Sequence, residues 1–130
     1  MKNILSFIWQ LPQHIIALAI IIFLKPKKKN FESLNIDYYF INSNLSIGVS
    51  LGKFIFFSYT PSEFSIKHEC GHRIQSSGLG WLYLIIIGIP SITGNIIDRL
   101  FHKKWNVRKR FEWYYNLPWE KDANKKAGIN

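Results

Sequence analysis

The sequence predicts a small α+β protein. Three observations carry that expectation: a β-rich stretch over residues 36–59, a well-punctuated helix after it that holds two histidines four residues apart, and long apolar segments on either side. With 130 residues, one folded domain behind a membrane segment is the expected arrangement, divided as residues 1–29 and 30–130. A net charge of +9 beside 48% hydrophobic residues is an unusual pairing for a freely soluble domain and points to a membrane surface.

The first element is residues 4–24, which carry no charged side chain and as one helix would cross a ~30 Å hydrocarbon core. Lys25, Lys27, Lys28 and Lys29 follow at once. Basic residues directly after an apolar segment favour the cytoplasmic face, where anionic headgroups attract them. The expected location is therefore the inner, cytoplasmic membrane, with the folded domain on its cytoplasmic side. Gln10, Pro12, Gln13 and His14 interrupt the segment, so an interfacial or re-entrant helix is the alternative. Ala17-Leu18-Ala19 has the small residues of a signal-peptide cleavage site but lies inside the apolar run instead of after it.

Residues 37–41, 45–49 and 54–58 are rich in β-branched and aromatic side chains, with Asn42-Ser43-Asn44 and Leu51-Gly52 between them. They read as the strands of a small antiparallel sheet.

The next helix opens at Thr60-Pro61-Ser62-Glu63, a capping box with Thr60 as N-cap, and stops near Ser76, Ser77 and Gly78. Inside it lies His68-Glu69-Cys70-Gly71-His72, an HExxH sequence. At 3.6 residues per turn, the i and i+4 imidazoles stand side by side and can share one tetrahedral Zn²⁺, with Glu69 beside the open position. A water acidified by such a metal can lose its proton to that carboxylate, which makes Glu69 the candidate general base. Cys70, the only cysteine, points away from the pair and reads as a packed thiol.

Residues 79–97 form a second apolar block, broken by Gly88, Pro90, Ser91, Thr93, Gly94 and Asn95. A single crossing there would separate the two basic clusters, so an apolar helical hairpin turning at Ile89-Pro90 is expected, with a buried core helix over 81–87 as the rival. Downstream, Arg99, Lys103, Lys104, Arg108, Lys109 and Arg110 are interleaved with Phe101, Trp105 and Phe111. Beside an apolar block these read as anchors for anionic lipid headgroups in preference to a nucleic-acid surface.

A catalytic zinc usually takes three protein ligands. The extended HExxHxxGxxH pattern fails, because Gln75 and Gly78 stand where Gly and His are wanted, which leaves Asp98, His102, Glu112, Glu120 and Asp122. Glu120 is preferred: a C-terminal helix opening near Pro118 would put Glu120 and Asn124 on one face, a carboxylate ligand and an amide that orients a histidine. On these residues the chain resembles the gluzincin class of zinc metallopeptidases. That resemblance implies His68, His72 and Glu120 as ligands, Glu69 as base, and Asn124 where the class carries an Asp. HECGHRIQSS with the later WEKDAN also resembles a group of small bacterial membrane-associated proteins carrying HExGHxxQS, a resemblance that names no substrate.

The expected function is a membrane-associated zinc peptidase, with His102, Tyr114 and Tyr115 as candidates to assist the oxyanion. The rival is a non-catalytic membrane module with a structural or vestigial metal site, which a fourth ligand such as His102 or Asp122 would favour. A peptide or protein substrate is expected, and so small a chain leaves room for a partner subunit to complete the site.

Overall fold

The computed structural model describes residues 2–129. Its first apolar segment is two helices, α1 (Lys2–Trp9) and α2 (Leu11–Leu24), in place of the single expected span. At 1.5 Å per residue α2 is about 21 Å long, short of a ~30 Å hydrocarbon core. The interrupting polar residues cause the break: Gln10, Gln13 and His14 are buried. Gln13 Nε2 donates to Ser76 Oγ at 2.9 Å and to the Gly80 carbonyl at 2.8 Å, and the Ser76 hydroxyl donates to Gln10 Oε1 at 2.6 Å. His14 Nδ1–H donates to the Phe7 carbonyl at 3.0 Å, while its Nε2 accepts the Lys53 N–H at 3.1 Å.

Four strands follow: β1 (Lys27–Phe31), β2 (Ile36–Phe40), β3 (Gly48–Leu51) and β4 (Phe54–Phe57). The expected basic flank is thus itself a strand, and the boundary drawn between residues 29 and 30 falls inside it. The order is β1-β2-β4-β3, with β2 and β4 parallel and the outer pairs antiparallel. The sheet is mixed, not antiparallel, because the chain leaves β2, runs to the far edge and returns as the β3–β4 hairpin, so β4 lies alongside β2 in the same sense. Gly52 makes that hairpin possible: it has φ +65°, and a Cβ there would sit 2.2 Å from the His14 ring.

β4 is buried on both faces and organises the core. Ile55 and Phe57 pack with Tyr38 against Ile66 of α3 (Glu63–Leu79), while Phe56 packs with Leu51 against Ala17 of α2. The sheet is therefore sandwiched between α2 and α3, which fixes α3 rigidly against its neighbours. Ser62, two residues later than expected, caps α3 by accepting the Ser65 N–H at 3.2 Å. The helix runs past Gly78 to Leu79 and ends at Gly80, whose φ is +57°.

A 3₁₀ turn (Gly80–Leu82) and a π-helical turn (Leu84–Gly88) lead into α4 (Ile89–Phe101), and α5 (Val107–Tyr115) and α6 (Pro118–Lys126) complete the chain. The expected hairpin at Ile89-Pro90 is absent. Pro90 sits in the first turn of α4, where its missing N–H is tolerated, and the wider π-helical turn before it lets the helical path continue. Among the described residues, Leu84–Phe101 is the one helix long and apolar enough to cross a membrane, and most of it is unburied.

Candidate metal centre

The centre is built where α3 and α6 touch, and Gly71 sets how closely they do so. A Cβ at Gly71 would lie 1.9 Å from the Ala123 carbonyl oxygen, so only glycine lets α6 come near enough for Glu120 to reach the histidines. Glu120 is the third residue of α6, which the chain enters at Leu117-Pro118, with Pro118 in the first turn.

His68 Nε2, His72 Nε2 and Glu120 Oε2 converge, each 3.1 Å from the other two, and all three residues are buried. They form a group that could hold a metal ion. The remaining ring nitrogens explain why. His72 Nδ1–H donates to Gln75 Oε1 at 2.7 Å, and the Gln75 amide is oriented by donating from Nε2 to Asp122 Oδ2 at 2.9 Å and to the Trp119 carbonyl at 3.0 Å. His68 Nδ1–H donates to Asn124 Oδ1 at 2.6 Å. With both Nδ1 atoms protonated, two Nε2 lone pairs and a carboxylate oxygen face one another with no donor among them. Buried acceptors without a donor cost about 1–3 kcal/mol each, so the arrangement calls for a cation at its centre. Ligand atoms about 2.0–2.1 Å from a tetrahedral zinc lie roughly 3.4 Å apart, close to the separation here.

Titration behaviour reports the same demand. Burial disfavours a charged His72, yet its contact with Glu120 and the Glu69 and Glu120 charges outweigh this and raise it to about 9. Burial likewise opposes a charged Glu120, but hydrogen bonds with His68 and His72 hold its carboxyl far below the usual carboxylate range. A metal taking the centre displaces the proton that otherwise supplies the positive charge. The second Glu120 oxygen accepts from the Ser91 hydroxyl and from Tyr114 OH at 3.1 Å, which fixes the carboxylate plane.

Glu69 is buried, Oε2 has no hydrogen-bond partner, and burial pushes its carboxyl up. With His72 it borders a cleft of about 720 Å³ whose walls come from α2, β3, the π-helical turn and α4.

The residues singled out from sequence divide sharply. His68, His72 and Glu120 come together, Glu69 borders the same space, and Asn124 contacts His68. Tyr114 lines the cleft, but its hydroxyl is committed to Glu120; Tyr115 sets its ring edge on His68 at 4.9 Å. His102 stands elsewhere, stacked on Trp105 at 3.7 Å and hydrogen-bonded to Asp98 at 3.1 Å. Asp122 serves Gln75 and Lys126 instead of the centre. Gly71, Gln75 and Ser91 were missed. Gln75 lies three residues beyond His72 on the same helical face and could have been found by that spacing, whereas nothing local marks Ser91 within its apolar block.

Compared with known proteins, the chain matches no family model, no curated protein and no solved structure, so the gluzincin resemblance rests on these residues alone.

Proposed function

We propose that the protein is a zinc-dependent peptidase working at a membrane. The observation that carries the proposal is the convergence of three buried acceptors beside a buried carboxylate with one unpartnered oxygen, at the border of an open cleft. Two imidazoles and a carboxylate are the donor set of catalytic zinc. Zinc held there supplies Lewis-acid polarisation of a peptide carbonyl and acidification of water. Glu69 takes the proton of the attacking water and delivers it to the leaving amine nitrogen, a base confined by burial to the side of the cleft where the peptide lies. Gln75 and Asn124 hold the histidine rings in the tautomer that leaves Nε2 free, and Ser91 and Tyr114 hold the Glu120 carboxylate.

The rival structural-metal reading needs a fourth protein ligand, and among the described residues the group has three. The fit with a membrane comes from Leu84–Phe101 and from the exposed apolar side chains of α2, Phe23 being 81% exposed. With these surfaces lying against the bilayer instead of crossing it, Lys25, Lys103 and Lys104, with the cations of β1 and α5, stay on one side and meet anionic headgroups, which puts the metal centre on the cytoplasmic face of the inner membrane.

Elemental mass spectrometry of the detergent-solubilised protein tests this. Near-stoichiometric zinc is expected in the wild type and its loss in His72→Ala and Glu120→Ala. Glu69→Gln should keep zinc while cleavage of a peptide library falls by about 100-fold or more. A wild-type protein that holds no zinc even after reconstitution overturns the proposal.

A further inference from the structure

The cleft beside Glu69 and His72 is walled mainly by apolar side chains, with Ile16 and Ile20 from α2, Val49 and Leu51 from β3, and Ile92 and Ile96 from α4. Among a few polar residues there, Arg99 is the one arginine or lysine, and it lines the cleft from the C-terminal half of α4. Its Nε donates to Asn95 Oδ1 at 2.5 Å and its Nη2 to the Ser46 carbonyl, leaving most of its five N–H donors uncommitted. Arg108 and Arg110 pair with Glu112 and Asp98, but half-buried Arg99 has no carboxylate within salt-bridge distance among the described residues. A partly desolvated cation on an apolar wall is unfavourable until an anion meets it.

Distance defines what that anion belongs to. Ser91, which holds Glu120, and Arg99 lie on the same cleft-lining face of α4, about 12 Å apart at 1.5 Å per residue. An extended chain covers that distance in roughly three or four residues at ~3.3 Å each. On the facing wall β3 is an edge strand, paired only with β4; its Ser50 carbonyl already accepts from the Tyr83 hydroxyl, so it meets an extended partner chiefly through Val49 and Leu51.

Resting on the peptidase reading of this cleft, we infer that it takes an extended apolar peptide and that Arg99 reads a carboxylate on that peptide, about three or four residues from the bond at the metal centre. The carboxylate is either the peptide's C-terminus or an acidic side chain at that position, and both present the bidentate acceptor a guanidinium fits.

Binding separates this inference from catalysis. Zinc-loaded Glu69→Gln protein in neutral detergent is titrated, by fluorescence anisotropy, with three dye-labelled peptides of alternating leucine and alanine. One ends in a free carboxylate, one is amidated, and one is amidated with a single glutamate scanned along it. The acid-ended peptide, or the glutamate peptide at one position, should bind about tenfold tighter than the neutral amide. That preference should vanish in Arg99→Gln, weaken without vanishing in Arg99→Lys, which keeps the charge but not the fork, and turn toward a lysine-bearing amide in Arg99→Glu. Equal binding of acid and neutral peptides to the Arg99 protein overturns the inference whatever the variants do. Displacement of the acid peptide by phosphatidylglycerol micelles but not by phosphatidylcholine also overturns it, assigning Arg99 to a lipid phosphate. Cleavage by the Glu69 protein is scored separately. Cleavage indifferent to the carboxylate removes this inference and leaves the peptidase reading, and Arg99-dependent binding without cleavage does the reverse.

Discussion

At His68 and His72, α3 gathers three acceptors around one point; one turn later, at Ser76, it gathers donors already matched to acceptors. Ser76, Gln10, Gln13 and the Gly80 carbonyl form a neutral network whose donors all find acceptors, with the Gln13 amide oxygen the one acceptor left over, and its effect is to dock α1 and α2 onto the domain. The cluster at His68, His72 and Glu120 is complete only with a proton or a metal ion among its acceptors. Both are buried, polar and on the same helix, so burial of polar groups does not by itself mark a functional site. The convergence of several acceptors on one point does.

The largest test of that contrast acts on the contact beneath the metal centre. Gly71→Ala drives a methyl into the Ala123 carbonyl, where no flexible side chain can yield, and α6 must withdraw with Glu120 on it. Destabilisation of about 3 kcal/mol or more and loss of zinc together are expected, read by thermal unfolding and metal content. Gly78 sits seven residues on in the same helix with nothing within 4 Å of a Cβ, and Gly78→Ala should instead be neutral or stabilise by up to about 1 kcal/mol.

Gln75→Leu leaves the ligands in place but removes the acceptor of the His72 Nδ1–H and the donor to Asp122. Zinc affinity should fall roughly 10–100-fold, measured by competition with a chromophoric chelator. The matching change in the other cluster, Gln13→Ala, strips the donor from Ser76 and Gly80. It should cost about 1–3 kcal/mol of stability with zinc affinity unchanged. If Gln13→Ala lowers zinc affinity as much as Gln75→Leu does, the two clusters are one unit and the contrast fails.

The contrast also explains what could be read from the sequence. The metal pair and the start of α6 were legible because both are local: i, i+4 spacing places two imidazoles together whatever surrounds the helix, and Pro118 announces a first turn. In the N-terminal segment the apolar run predicts one helix, whereas the polar residues that interrupt it are the contacts that dock two helices. Gln10, Gln13, His14 and Ala17 follow i, i+3, i+4, i+7, the pattern of a buried face, with the apolar residues turned outward. The parallel β2–β4 pairing and the contact of Ser91 with Glu120 depend on segments distant in the chain, and no local pattern carries them.

The smallest expected effect concerns the residue at which the chain departs from the gluzincin pattern. Asn124 accepts the His68 Nδ1–H at 2.6 Å without a negative charge, so it fixes the ring but does little to raise the basicity of Nε2. The centre already holds a Glu120 carboxylate, and Glu69 lies close enough to influence His72 electrostatically. A third anion adds attraction for zinc but also repels the other two while the metal is absent. Asn124→Asp should therefore tighten zinc by no more than about tenfold, at some cost in stability of the metal-free protein. Calorimetric titration of zinc beside thermal unfolding of the chelated protein reads both effects. Weaker zinc binding in Asn124→Asp would mean that ring orientation, and not ligand basicity, is what this contact supplies.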